Sequence, residues 1–242
     1  MPLIVLMYHR TPKDAGHILD VPLSLFRAQI DALCNASIPL VPFSKALDTK
    51  IYLKKPVVSI TFDDGHGTNL EAISYLHLAG LPCTSFFVRD FIQSAHDGFM
   101  DISAFRFIAS RCEVGGHSAS HANLCSLSDD ALAAELFDSK SFLETNCRQE
   151  VTTMSAPGGK LNRRVMRAAI NHGYKIIGDS IPLPNSKPSQ RIHRLCMNHT
   201  LSPPKLLSLV RSSKLYWLMQ KARHSLTTRL MQKARHSLTT RK

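Results

Sequence analysis

The chain has 242 residues, 44% of them hydrophobic and 20% charged, enough to bury a sizeable core in one large domain or two small ones. No apolar run approaches the ~18 residues that span a bilayer, so no membrane-spanning helix is expected in this sequence. The net charge of +12 is unevenly placed: the last acidic residue is Asp179, 13 Lys and Arg follow it, and the 17 basic and 18 acidic residues before Ser180 nearly cancel.

Read in chain order, the sequence alternates strand-like and helix-like segments. MPLIVLMYHR has an apolar run without a basic n-region or a small-residue cleavage site. It reads as a buried first strand over residues 3–8 rather than a signal peptide, which points to the cytoplasm. Strands follow at 57–62, 83–88, 112–115, 151–155 and 174–178, with a weaker one at 191–197. Helices are predicted between them at 23–35, 69–79, 102–110, 128–145 and 162–171, and after the last strand at 203–212. Ser128 followed by Asp129 and Asp130 suits a helix start, and Gly80 and Gly173 sit where helix C-caps belong. Repeated β-α units imply parallel strands with right-handed crossovers, so the body is a barrel or an open α/β sheet, with its chemistry at the C-terminal ends of the strands. Six cysteines (Cys34, Cys83, Cys112, Cys125, Cys147 and Cys196) form no C-x-x-C pair and read as core fillers in a reducing compartment.

The body is expected over residues 1–213, followed by a basic tail over 214–242. In that tail LMQKARHSLTTR occurs at 218–229 and again, unchanged, at 230–241. A perfect copy of 12 residues is too short for a solenoid unit and reads as a recent duplication or an artefact. Its apolar residues among Lys and Arg suit a basic amphipathic helix in weak contact with an anionic membrane, or simply a frayed basic end.

Two polar knots carry the chemistry. TFDDG at 61–65 ends a strand on two adjacent carboxylates, Asp63 and Asp64. HSASH at 117–121 places two imidazoles four residues apart, which on a helical turn share one face. Two histidines and one carboxylate make three protein ligands and leave an open position for water on a zinc-type cation. The cation takes one aspartate and relieves the repulsion, while the other stays free as a base. The residue after His117 is Ser118, so there is no H-E-x-x-H base on that turn, and Asp63 is the obvious donor. Read without the histidines, the paired aspartates equally suit a magnesium site for phosphoryl transfer. In SAPGGK at 155–160 the turn at Pro157 and Gly158 offers backbone N–H groups to an oxyanion, or is a plain β-α turn. His66, just after the first knot, is placed to line the site, and His9 ends the first strand on the same side.

TFDDG, HSASH and APGG (156–159), in that order, resemble the polysaccharide deacetylases of the nodulation-protein-B type, carbohydrate esterase family 4. LMYHR is similar to the exopolysaccharide-associated branch. The resemblance runs from about Leu3 to Val210. It implies a distorted (β/α) barrel with about seven parallel strands and metal-dependent removal of acetyl groups from an N-acetylated saccharide. It assigns Asp63 as catalytic base and Asp64, His117 and His121 as metal ligands. The metal is expected to be zinc, with cobalt, nickel, manganese or iron also suited to the ligand set. The family's last motif places a histidine after a strand; His199 is the better match and His193 the second, as proton donor to the departing amine. The family's third motif often begins with an arginine that holds the catalytic aspartate, and Ser155 stands there. Its absence leaves Asp63 less compensated, with a raised pKa expected. The fourth motif's Asp-Trp has no counterpart, and Asp179 is read as a loop cap. These departures keep open a carbohydrate-binding relative without turnover. No nucleic-acid motif accompanies the basic tail, so no nucleic-acid partner is expected.

Overall fold

The structure, a computed structural model, describes residues 2–52 and 55–212. The expected tail over 214–242 lies outside the described residues. Among the described residues eight short strands form one parallel sheet: β1 (Leu3–Tyr8), β2 (Val57–Phe62), β3 (Thr84–Phe87), β4 (Glu113–Gly116), β5 (Thr153–Ser155), β6 (Ile176–Gly178), β7 (Arg191–Ile192) and β8 (Leu195–Cys196). Their order is β7-β6-β5-β4-β3-β2-β1-β8, so the two last strands occupy opposite edges. Yet only His193 and Arg194 separate them in the chain. Residues 191–196 form one extended segment whose first half pairs with β6 and whose second half pairs with β1. The chain itself joins the two edges, and the sheet curls into the distorted (β/α) barrel expected from the resemblance.

Among the described residues seven helices flank the sheet: α1 (Leu23–Asn35), α2 (Asn69–Leu78), α3 (Arg89–Gln93), α4 (Ile102–Ala109), α5 (Asp129–Cys147), α6 (Arg163–Asn171) and α7 (Pro203–Arg211). Six match the expected helices to within two residues at each end. The seventh, α3, has a single turn and no side-chain cap, and periodicity does not reveal it. Side-chain oxygens begin α4, α5 and α6 by accepting backbone N–H bonds, Asp101 from Ala104, Ser128 from Ala131 and Asn162 from Val165. Among the described residues no helix is long and apolar enough to cross a membrane.

Strand alternation divides the core in two. Ile4, Leu6 and Tyr8 of β1, with Val58, Ile60 and Phe62 of β2, pack outward against the helices. Leu3 and Val5, with Val57, Phe86, Ile176 and Ile192, pack inside the barrel, where Phe43 and Tyr52 from two 3₁₀ turns fill the end nearest the strand starts. All residues of β1 and β2 are buried, as strands covered on both faces must be, which is why they read as continuous apolar runs. Further along the same inward rows the side chains become small and polar: Ser59, Thr61, Thr153 and Ser155, all buried. The upper half of the barrel therefore has room for a large side chain.

The inner packing is tight at β4. A Cβ on Gly115 would collide with the Phe86 ring and stand 2.9 Å from Thr153 Oγ1. Gly115→Ala is expected to cost about 1–3 kcal/mol of stability through overpacking, readable as a lower midpoint in chemical denaturation.

Candidate functional site

The strands' C-terminal ends gather at one mouth of the barrel. Asp63 and Asp64 follow β2, His117 follows β4, Pro157–Gly159 follows β5 and Asp179 follows β6. A cavity of about 330 Å³ opens there, lined by Met7, His9, Asp63, Asp64, His117, His121 and their neighbours Gly158, Gly159 and Cys196.

The two adjacent carboxylates part because the chain turns between them. Asp63 continues the inward row of Ser59 and Thr61, is 2% exposed, and is tied back by its N–H to the Tyr8 carbonyl. Asp64 sits at φ 71°, a left-handed conformation uncommon for a non-glycine residue, which aims its carboxylate at the histidines instead. Asp64 Oδ1 lies 3.2 Å from His117 Nε2 and 3.3 Å from His121 Nε2. Burial would raise the Asp64 pKa, but the hydrogen bonds from the two imidazoles hold its carboxyl far below the usual carboxylate range.

His117 and His121 do not share a helical turn. Residues 117–121 form a loop in which Ser118 and His121 take positive φ, and the loop still brings the rings to a centroid separation of 5.0 Å. The loop is fastened by Glu135 of α5, whose carboxylate accepts the N–H groups of Ala119 and Ser120 at 2.9 Å each. Glu135 lies mid-helix, 15 residues beyond Ser120, and no sequence pattern singles it out. His117 Nδ1–H donates to the Ser155 carbonyl at 2.8 Å, so Nε2 is the ring nitrogen turned toward Asp64 and His121. The ligand atoms of Asp64, His117 and His121 all lie within 4.8 Å of one another. Two imidazole nitrogens and a carboxylate oxygen converging in this way, with the histidine tautomer set by a backbone carbonyl, fit a divalent cation.

The expectation for Asp63 needs correction. Ser155 does stand where an arginine was sought, but Arg194 fills the gap from the segment linking β7 to β8. It forms a two-pronged ion pair with Asp63, Nη1 to Oδ1 at 2.7 Å and Nη2 to Oδ2 at 2.8 Å. The Ser155 hydroxyl donates to Asp63 Oδ2 at 2.9 Å. Burial works to raise the Asp63 pKa, yet Arg194, joined by His117, brings it below the ordinary carboxylate value rather than above it.

The remaining candidates separate. Gly158 and Gly159 border the cavity, whereas Pro157 is buried beneath them. His66 turns its ring edge-on to Phe99 at 5.3 Å and bonds Thr68, and does not border the cavity. His199 is exposed in the turn after β8, also away from the cavity. His193 donates Nδ1–H to Asp179 at 3.0 Å. Asp179, read as a loop cap, does accept the Ile181 N–H at 2.9 Å, but it is fully buried and also pairs with Arg191 at 2.7 Å. His9 does border the cavity, with Nδ1 at 4.0 Å from Cys196 Sγ. Burial lowers its pKa against the opposing pull of Asp63 and Asp64.

Comparison with known proteins agrees with this architecture. A sequence profile described as polysaccharide deacetylase matches residues 50–177. The chain is 28% identical over 178 residues to YxkH of Bacillus subtilis (strain 168), a protein assigned to the polysaccharide deacetylases; the match covers 72% of this chain and 63% of YxkH, less than two thirds of that relative's length. The Streptococcus pyogenes deacetylase PplD, solved in complex with acetate, superposes with a TM-score of 0.80 at 19% identity, covering 88% of this chain and 99% of PplD. BC0361, a polysaccharide deacetylase from Bacillus cereus, superposes at 0.76 with 21% identity over 87% of this chain and 69% of its own. At these identities the structural likenesses speak for the fold, while the sequence profile spans more than half of the chain: this protein belongs to the polysaccharide deacetylase family.

Proposed function

We propose that this protein is a metal-dependent hydrolase that removes acetyl groups from an N-acetylated saccharide. The observation that carries the reading is the placement, at one cavity, of a carboxylate held ionised beside a separate carboxylate-imidazole-imidazole cluster. Asp64, His117 and His121 would hold the cation, most simply zinc. A divalent cation there supplies a Lewis acid for the acetamide carbonyl and a nucleophile from water near neutral pH.

Asp63 Oδ2 lies 4.0 Å from His117 Nε2, so the base stands beside the ligand cluster without joining it. It takes a proton from the attacking water as the acetamide carbon is added to. The backbone at Gly158 borders the same space and is the candidate donor to the developing oxyanion. Of the histidines, His9 replaces His199 as the proposed proton donor to the departing amine, because it borders the cavity and His199 does not. The products are acetate and a free amino sugar.

Acetate release from N-acetylglucosamine oligomers by the zinc- or cobalt-loaded protein tests the reading, and a chelator is expected to abolish it. Asp63→Asn is expected to lower kcat by at least about 100-fold, and His9→Gln to lower it while leaving metal content unchanged. Full activity in Asp63→Asn sinks the assignment of the base. Saccharide binding without turnover by the metal-loaded parent supports the carbohydrate-binding relative instead.

Metal affinity is expected to depend on pH through His117. Burial alone would lower its pKa, but Asp63 and Asp64 outweigh that and raise it, and a protonated imidazole cannot ligate. The raised pKa stabilises the metal-free fold at pH values below the ordinary imidazole range, and that contribution is lost as the pH rises through the raised value. Zinc binding therefore competes with a tightly held proton. Titration calorimetry across about pH 5 to 8 is expected to show affinity falling toward acid, with proton release on binding seen as a buffer-dependent heat.

A further inference from the structure

The most heavily built feature of the site is a side chain that would touch neither cation nor substrate. Arg194 is 0% exposed and heads the largest fully buried side chains of the described residues. Every contact on it has a direction. Nη1 and Nη2 grip the two oxygens of Asp63, Nη2 also donates to the Ser155 hydroxyl oxygen at 2.6 Å, and Nε donates to the Asp179 carbonyl at 2.9 Å. The Phe86 ring lies under the guanidinium at 5.3 Å. Space has been cleared for it: a Cβ on Gly178 would stand 2.8 Å from Arg194 Nε.

A buried ion pair is a poor way to stabilise a barrel, since apolar side chains of similar volume commonly do as well or better. What a forked guanidinium does supply is geometry, by fixing the plane of a carboxylate at two points. Arg194 and Ser155 together occupy one acceptor position on Oδ1 and two on Oδ2 of Asp63. A carboxylate offers about four, so Oδ1 keeps one to receive a proton.

We propose that Arg194 is the positioning residue for Asp63, orienting the base from the segment that joins the two edges of the barrel and so taking the place of an arginine at position 155. The inference rests on the hydrolase reading of the site. It also makes barrel closure and base alignment a single event, because residues 191–196 cannot seat on β6 and β1 without delivering the guanidinium.

The test compares the metal-loaded parent with Arg194→Lys, which keeps the charge but loses the fork, and with Arg194→Ala, which leaves a guanidinium-sized gap. Both variants are expected to keep their metal content and a KM near the parent's while kcat falls about 100-fold, as for a misplaced catalytic group. Added guanidinium ion is expected to restore part of the kcat of Arg194→Ala. A structural role alone predicts neither the selective loss of kcat nor the rescue. Unchanged kcat in Arg194→Lys, or a loss in Arg194→Ala that guanidinium does not relieve, overturns the proposal. If the parent releases no acetate from any N-acetylated oligomer, the hydrolase reading fails, and crystal structures of Arg194→Lys decide the positioning separately. A carboxylate of Asp63 turned away while Asp64, His117 and His121 stay in place upholds it; an unmoved carboxylate overturns it.

Discussion

A carboxylate cannot stay ionised at the bottom of a cavity unless something compensates it, and the arrangement of this protein's active end follows from how Asp63 is compensated. Its partner is 131 residues away in sequence, on the segment that links β7 and β8. The hydrogen bonds around that pair reach Ser155 at the end of β5 and the Asp179 carbonyl after β6. Four of the barrel's strand ends are thereby tied to one buried charge pair. The inward rows of Ser59, Thr61 and Ser155, and the bare Cα of Gly178, are the space that pair needs. Below them the interior returns to Leu3, Val5, Phe86 and Ile176, which fill the lower barrel as an ordinary apolar core.

The neighbouring carboxylate has a different environment because the backbone reverses hand at Asp64. Asp63 stays with the barrel interior and its arginine, while Asp64 leaves it for the two imidazoles. Adjacent like charges are thus sorted to different partners, one cationic side chain and one ligand cluster. The histidine loop depends in turn on α5, since the Glu135 carboxylate accepts the N–H groups of Ala119 and Ser120. The cluster is therefore positioned from two sides, by a strand end and by a helix that never touches it.

The elements of the fold that could be read in the sequence are those that local physics decides. β1 and β2 are buried on both faces and show as unbroken apolar runs, and Ser128 and Asn162 act as the caps their side chains suit. The two polar knots were legible because each is contiguous. What could not be read depends on contacts distant in the chain. The His117–His121 spacing suggested a helical turn, but positive φ at Ser118 and His121 produces the same convergence from a loop. His9 and His199 both follow strand ends, and only the three-dimensional arrangement puts the first on the cavity and the second in solvent. Nothing near position 194 marks an arginine as buried.

Ser155 shows how a local departure can be misread. Taken alone it looks like a lost contact to Asp63. In the folded chain its hydroxyl donates to Asp63 and its oxygen accepts from Arg194 at 2.6 Å, so the serine fills the interval between the two. An arginine side chain at 155 would need the volume that Arg194 already occupies. The two arrangements exclude each other: a guanidinium reaching Asp63 from the closing segment requires a small residue at the end of β5, and a small residue there leaves the buried carboxylate in need of a cation from elsewhere. Residue 155 and residue 194 are one choice made across 39 residues of chain, and their joint identity, rather than either alone, determines whether Asp63 is held.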